Sequence, residues 1–387
     1  MNSSFKTKTL PIIMTLLTAT VLTYLSIFLA KKDINFKVTE DIGNDIELVE
    51  TAIVAVRSVP ESAKIYIDGD LQDKITDTNI SGIKKGKHTI EIEKEGYEKW
   101  SKEISITDDN LSLVHDITAN LVTKGGSILP ITNNGIGNFF ISTDGQDIIY
   151  TDSTSVKKGL YKINLNNNPL NIFQTEKKLL LENTKKFTYS NIEDVQFSPQ
   201  DDKFIFKLKN NYYVYDLDLS IFQTLSLIEK VRLLLEWEET KSTVNSKLLL
   251  NHGLIEKQEV ANIVKEQLKW SPNAENFFYI QNKNRNNDEI VVYNLEKPLP
   301  VGEKIKNKIT IPKNTYSVEW NSGSKRIILS SENTIRLIDK NGDNNTEIFK
   351  GNIMKKKAFS SPDGQKIIFK TGFKTDNIGN LYAVTIR

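Results

Sequence analysis

A short pattern recurs five times in the C-terminal part of this chain, and it limits the possible folds more than any other feature. Its second copy reads Phe197-Ser198-Pro199-Gln200, then Phe204-Ile205-Phe206, then Tyr212-Tyr213-Val214-Tyr215. The third reads Trp270-Ser271-Pro272-Asn273, Phe277-Phe278-Tyr279 and Ile290-Val291-Val292-Tyr293. The fifth has Ser361-Pro362-Asp363-Gly364, Ile367-Ile368-Phe369 and Leu381-Tyr382-Ala383-Val384. The first, Ile141-Ser142-Thr143-Asp144-Gly145, and the fourth, Trp320-Asn321-Ser322-Gly323, keep the spacing without the proline. Each copy is a strand ending near an aromatic, a tight turn, a second strand and a third. Proline presets φ at the first central turn position, Asp or Asn tolerates the second, and glycine suits the exit. One such unit cannot bury both faces by itself, so the units must pack on one another.

Units of this form resemble the blades of WD40-like and TolB-like β-propellers, whose sheets stack radially and close a ring. The resemblance covers roughly residues 121–387, and the domain is placed at 120–387. Five units are visible, and a degenerate sixth stays open. The spacing between the second and third is much longer than elsewhere. Residues 219–262 are rich in Leu, Ile, Glu and Lys and lack Pro. Leu225, Ile228 and Leu235 fall on one helical face, as do Val260 and Ile263. An α-helical insertion is expected there, with Gly253 separating two pieces.

Ahead of the repeats, residues 59–106 show a different order. Ile65 and Ile67, Ile90 and Ile92, and Ile104 and Ile106 alternate with polar neighbours, the period of half-buried strands. Asp68-Gly69, Gly86 and Gly96 punctuate them. Tyr97 and Trp100 are the large anchors of a core too small to rest on aliphatics alone, and both are expected to be buried. Pro60-Glu61-Ser62-Ala63, Tyr66-Ile67-Asp68-Gly69, Gly86-Lys87-His88-Thr89-Ile90 and Lys94-Glu95-Gly96-Tyr97 resemble four blocks of the PEGA domain. Ser62 stands where glycine is usual, and Thr78-Asn79 replaces the usual Thr-Pro. The resemblance implies a small β-sandwich at 51–119, serving attachment and spacing at the cell surface, and it implies no catalysis.

Residues 10–30 carry no charge and match the roughly 20 residues needed to cross a hydrocarbon core. A cleaved signal peptide is the rival reading. It would end in small residues at alternate positions, whereas Phe28-Leu29-Ala30 puts a bulky residue where a small one is needed. An uncleaved transmembrane helix is therefore expected after a short tail at 1–9, followed by a solvated linker at 31–50. Lysines flank both ends of the span, so the positive-inside rule barely discriminates. The resemblance to surface modules favours a bulk outside the cytoplasm.

The 51 basic and 49 acidic residues nearly balance, which argues against a nucleic-acid partner. With no cysteine, thiolate metal sites, thiol nucleophiles and disulfides are excluded. His88, His115 and His252 are the only imidazoles, and structural or surface roles are expected for them. Residues 339–345 place side-chain oxygens at alternating positions, as a calcium loop would. The glycine is one place off and Lys350 occupies the position of the bidentate Glu, so a hairpin turn on Asn341-Gly342 is expected instead. No Gly-x-Ser-x-Gly elbow occurs. The sequence thus describes a mainly β, single-pass membrane protein of the envelope with no assigned catalytic, cofactor or metal residues. Its expected partner is an envelope protein or carbohydrate. The alternative is an envelope hydrolase with paired carboxylates in the ring channel.

Overall fold

The computed structural model describes residues 35–37, 49–111, 114–166, 177–253, 268–373 and 379–387. The expected span at 10–30 lies outside them, as does most of the linker at 31–50. The chain divides into two compact units. One ends at Leu121 and takes in Pro300–Gly302; the other runs from Val122 to Arg387 without those three residues.

The first unit contains β1 (Asn35–Lys37), β2 (Val49–Val59), β3 (Lys64–Ile67), β4 (Asp70–Ile75), β5 (Thr78–Ile83), β6 (Gly86–Glu93), β7 (Trp100–Ile106) and β8 (Val114–Asn120). One sheet has the order β4-β3-β6-β7. In the other, β2 pairs with β1 and β5 antiparallel and with β8 in parallel. Alternation decides the packing. Ile65, Ile67, Ile90, Ile92, Trp100, Ile104 and Ile106 share one core with Val54, Val56, Ile80 and Ile117. Trp100 is 6% exposed. Tyr97, expected to be buried, is only half-buried at the margin of that core, because it stands in an isolated bridge after the Glu95-Gly96 turn rather than within a strand.

Two turn positions explain their residues. Ile67 pairs with Asp70, so Asp68 and Gly69 form a two-residue hairpin loop, with φ of 54° and 91°. Positive φ at both positions is the type I′ geometry that matches strand twist. Ser62 has φ of 63°, a left-handed conformation that glycine adopts without strain. Ser62→Gly is therefore expected to stabilise the unit by about 0.5–1 kcal/mol, read as a rise in the denaturation midpoint of its transition. An unchanged or lowered midpoint would contradict this.

The second unit begins with β9 (Ile128–Pro130) and then builds five sheets. The first holds β10 (Phe139–Ile141), β11 (Asp147–Asp152), β12 (Gly159–Asn164) and β13 (Lys177–Glu182). The second holds β14 (Val195–Phe197), β15 (Lys203–Leu208), β16 (Asn211–Asp216) and β17 (Ile221–Leu225). The third holds β18 (Lys269–Trp270), β19 (Asn276–Asn282), β20 (Asn287–Asn294) and β21 (Lys306–Pro312). The fourth holds β22 (Ser317–Trp320), β23 (Arg326–Ser330), β24 (Thr334–Asp339) and β25 (Thr346–Lys350). The fifth combines β26 (Met354–Ser360), β27 (Lys366–Thr371) and β28 (Asn380–Thr385) with β9 from the start of the unit. The sequence pattern shows three strands per repeat; the structure adds a fourth to each. Among the described residues there are five such sheets.

Burial explains the repeat's apolar triplets. Ile148-Ile149-Tyr150, Phe204-Ile205-Phe206, Phe277-Phe278-Tyr279, Ile327-Ile328-Leu329 and Ile367-Ile368-Phe369 are all buried. A second strand covered on both faces reads as a continuous apolar run, not an alternation. Shared cores join the first sheet to the second, the third to the fourth, the fourth to the fifth, and the fifth back to the first. The first strands of the third, fourth and fifth sheets approach each other, β22 lying against β18 and β26.

The expected helical insertion at 219–262 starts later than the sequence pattern suggests. Ile221–Leu225 is β17, the outer strand of the second sheet, and Leu225 therefore belongs to a strand. The helix α1 spans Leu227–Asn251. Ser226 accepts the Glu229 amide at 3.2 Å while the Glu229 carboxylate accepts the Ser226 amide at 2.8 Å, a capping box that sets the start. His252 follows as C-cap, and Gly253 (φ 71°) ends the helix. Val260 and Ile263 lie outside the described residues.

Candidate functional site

The turns between the first and second strands carry one hydrogen-bond pattern. The amides of Ser142, Ser198, Ser271 and Ser361 bond the carbonyls five residues on, and their carbonyls accept the amides three residues on. Each hydroxyl also accepts the amide five residues on. Asn321 takes this place in the fourth sheet. The exit residues Gly145, Asp201, Ala274, Ser324 and Gly364 all have φ between 55° and 73°. The turns then reach sideways. The Asp201 carboxylate accepts the amides of Thr143 (2.6 Å) and Asp144 (2.9 Å), and the Ser324 hydroxyl accepts the Asn273 amide at 3.1 Å. Burial raises the Asp201 carboxyl above its ordinary value, with those amides opposing it. The motif is therefore structural chemistry, closing each turn and fastening it to its neighbour.

Beside the third and fourth sheets lies a buried cluster of charge. The Lys340 ammonium, on the loop after β24, donates to Glu296 Oε1 and to Asn276 Oδ1 (3.1 Å), and Glu303 Oε2 lies 3.9 Å away. Asn276 and Asn294 donate to Glu296 and Glu303 at 3.4 and 3.3 Å. Burial pushes the Glu296 carboxyl up, but the Lys340 ammonium outweighs it and holds the group below its ordinary value. One buried ammonium serves two carboxylates, which makes an ion-paired clasp between sheets.

Residues 339–345 form the β24–β25 hairpin loop expected from Asn341-Gly342. The Gly342 amide bonds the Asp339 carbonyl at 2.9 Å, and Gly342 has φ of 98°. The Asp339 carboxylate accepts Arg326 Nε at 2.9 Å and Asn344 Nδ2 at 2.7 Å, so its oxygens turn to the fold. Among the described residues no three His, Cys, Asp or Glu side chains gather as metal ligands do. Of the histidines, His88 bonds Asp68 Oδ2 (2.7 Å) and the Lys84 carbonyl (2.8 Å), bracing the β3–β4 hairpin. That bond to His88, with the Thr89 amide, lowers the Asp68 carboxyl. His115 is fully buried in β8 with neither ring nitrogen within hydrogen-bond geometry of a partner among the described residues, and burial lowers its pKa against an opposing influence of the Asn110 backbone.

The helix α1 is attached along one side. Leu249 is fully buried against Phe277, Tyr279, Val291 and Tyr293 of the third sheet. Trp270 Nε1 donates to Asn245 Oδ1 at 3.0 Å, and the His252 ring stacks on Trp270 at 6.3 Å. Lys230 Nζ sits 4.1 Å above the Tyr212 ring of the second sheet. The helix thus bridges two sheets. Its other side leaves Leu227, Ile228, Val231 and Leu235 exposed, by 66, 82, 47 and 64%. Sequence reasoning placed Ile228 and Leu235 of this stripe on one face, together with Leu225, which lies in β17, and missed the capping box at Ser226–Glu229 that sets the helix start.

Residues 51–118 match the PEGA domain family. No curated protein matches the sequence. Solved structures align at low similarity. TolB from Acinetobacter baumannii is 12% identical with a TM-score of 0.24, over 78% of this chain and 61% of that one. Putative TolB from Agrobacterium tumefaciens is 13% identical with a TM-score of 0.23, over 84% and 99%. The PQQ domain of pyranose dehydrogenase from Coprinopsis cinerea is 9% identical with a TM-score of 0.34, over 68% and 96%. The chain thus spans about three fifths of the Acinetobacter protein.

Proposed function

We propose that this protein is a membrane-anchored, extracytoplasmic binding or scaffold protein of the cell envelope, in which a PEGA spacer presents a propeller head to a protein partner. The PEGA match at 51–118 supports the surface setting. The observation that carries the binding role is α1, which the fold holds by Trp237 and Leu249 while leaving six large apolar side chains in water, four of them in its first three turns. An apolar stripe kept in water marks an interaction surface more often than a structural need. The reading is non-catalytic, and the clasp at Lys340 supports it, since one ammonium already serves both Glu296 and Glu303. Anchoring is assigned to residues 10–30; among the described residues no helix is long and apolar enough to cross a membrane.

Two measurements test this reading. With an uncleaved anchor, the protein should resist carbonate extraction and its mature N-terminus should precede residue 10. An N-terminus beyond residue 30 would remove the anchor. Affinity capture from native membranes should compare the natural chain with Ile228→Glu/Leu235→Glu. The variant should melt unchanged, because both residues are exposed, and should lose at least one envelope protein that the natural chain retains. If every partner is retained, α1 is not the binding face. Removing the whole segment would be a poorer test, because Leu249 belongs to the third sheet's core.

A further inference from the structure

The β26 edge strand of the fifth sheet is interrupted by three lysines. Met354 pairs with Lys370 and Ala358 with Phe369, so Lys355, Lys356 and Lys357 loop out of β26 opposite no residue of β27. Lys355 and Lys356 have φ of 63° and 53°, a region that non-glycine residues avoid unless the surroundings enforce it. The surroundings do. The Lys356 amide bonds the Ile353 carbonyl at 3.1 Å, and the Lys356 carbonyl accepts the Ser330 hydroxyl of the fourth sheet at 2.7 Å. An uninterrupted strand would need neither the extra residues nor the strained backbone; a bulge re-aims side chains away from the ladder. Lys355 and Lys357 are exposed as a result.

A fourth lysine lies alongside. Lys370 is 6% exposed, and its ammonium donates to the carbonyls of Ile136 and Gly137, both at 2.7 Å. An ammonium has three N–H donors, so two carbonyls leave one unused. Lys355 is near enough for its charge to act on Lys370. Among the described residues the carboxylate paired with this group is Glu332, 3.7 Å from Lys356, which also lies 4.0 Å from the Tyr316 ring. Three cations in the β26 bulge and a fourth on β27, where Lys370 pairs with Met354, share one anion and are short of negative charge.

We propose that the Lys355–Lys357 bulge and Lys370 form a binding site for a multivalent phosphate group at the β26 edge of the fifth sheet. Lysine is a point charge that suits a tetrahedral oxyanion, whereas a planar carboxylate is better met by the guanidinium fork, which the cluster lacks. The site stands on the second unit alone and does not depend on the envelope reading.

Tripolyphosphate titrated into the full chain by calorimetry, at about 0.15 M salt, tests the assignment. Saturable one-to-one binding is expected, with citrate clearly weaker. Lys355→Gln/Lys357→Gln should weaken tripolyphosphate by about tenfold or more at an unchanged melting temperature. Lys207→Gln/Lys209→Gln removes the same charge from exposed positions on the second sheet and should leave the affinity as it was. A third variant, Lys355→Gly, should melt higher, since it relieves the positive φ, yet bind more weakly. Orthophosphate and long-chain polyphosphate then separate a free phosphate from a polymer as the source. Absence of saturation, equal losses in both double variants, or citrate matching tripolyphosphate would overturn the site.

Discussion

Trp100→Ala is expected to unfold the first unit while the ring stays folded. Trp100 opens β7 and is packed among Ile65, Ile90, Ile92 and Ile104, in a core assembled from short strands with few large side chains. Truncating a buried Trp costs about 3–5 kcal/mol, comparable to the whole stability of a domain this small. The other three tryptophans, Trp237, Trp270 and Trp320, lie in the second unit. Their fluorescence therefore reports the ring, while far-UV circular dichroism reports both units. In the variant the circular dichroism should show the first unit's transition lost or shifted far down, with the fluorescence transition unmoved. Tyr97→Ala should do much less, as Tyr97 is half-buried. A circular dichroism melt indistinguishable from the natural chain would show that Trp100 is not holding the sandwich together.

The second large effect is expected on raising the pH. Burial, with a smaller contribution from the Lys355 charge, lowers the Lys370 ammonium from 10.5 to about 8. Between those values the unfolded chain holds a proton that the folded chain has released, so stability rises with pH across that window. The integrated gain is about 3 kcal/mol for this group. Loss of the proton leaves two N–H donors, enough to keep both carbonyl bonds to Ile136 and Gly137. Above pH 10 the buried phenol of Tyr150, raised by desolvation, acts in the opposite sense, because the unfolded chain then ionises first. Urea midpoints taken from pH 7.5 to 11 should therefore climb and then fall. In Lys370→Met the climb should vanish. A natural chain whose midpoints stay flat or fall from pH 8 to 10 would contradict the assignment.

Much of the architecture could be read from the residues, for reasons the structure makes plain. Strands covered on both faces need continuous apolar runs, and strands covered on one face need alternation, so Phe204-Ile205-Phe206 and Ile90/Ile92 announced their places. The outer strands did not. Thr346–Lys350 buries only Phe349 of its five residues, and Ile221–Leu225 is largely exposed, so each looks like loop or helix. The Lys340 clasp was beyond reach because Asn276, Glu296, Glu303 and Lys340 meet only through the packing of adjacent sheets. Lys355-Lys356-Lys357 stands in plain view as a charge run, but its looped-out register depends on β27. Ser62 gave no such signal by its own residue type, and its φ of 63° emerges only from the structure.

The seam where β9 joins β28 has a consequence for the order of events during synthesis. Thr123 Oγ1 donates to the Thr385 carbonyl, 262 positions along the chain. The Thr385 amide bonds the Ser127 carbonyl, and the Ile131 amide bonds that of Leu381. The strand made first in the head must wait until β28 has been synthesised before it gains its ladder partner among the described residues. Through that interval the nascent head carries a bare edge at each end, open to a neighbouring chain as readily as to its own C-terminus. A chain cut before Leu381 would leave that state permanent, with Ile386 missing from the core it shares with Val122 and β9 unclaimed.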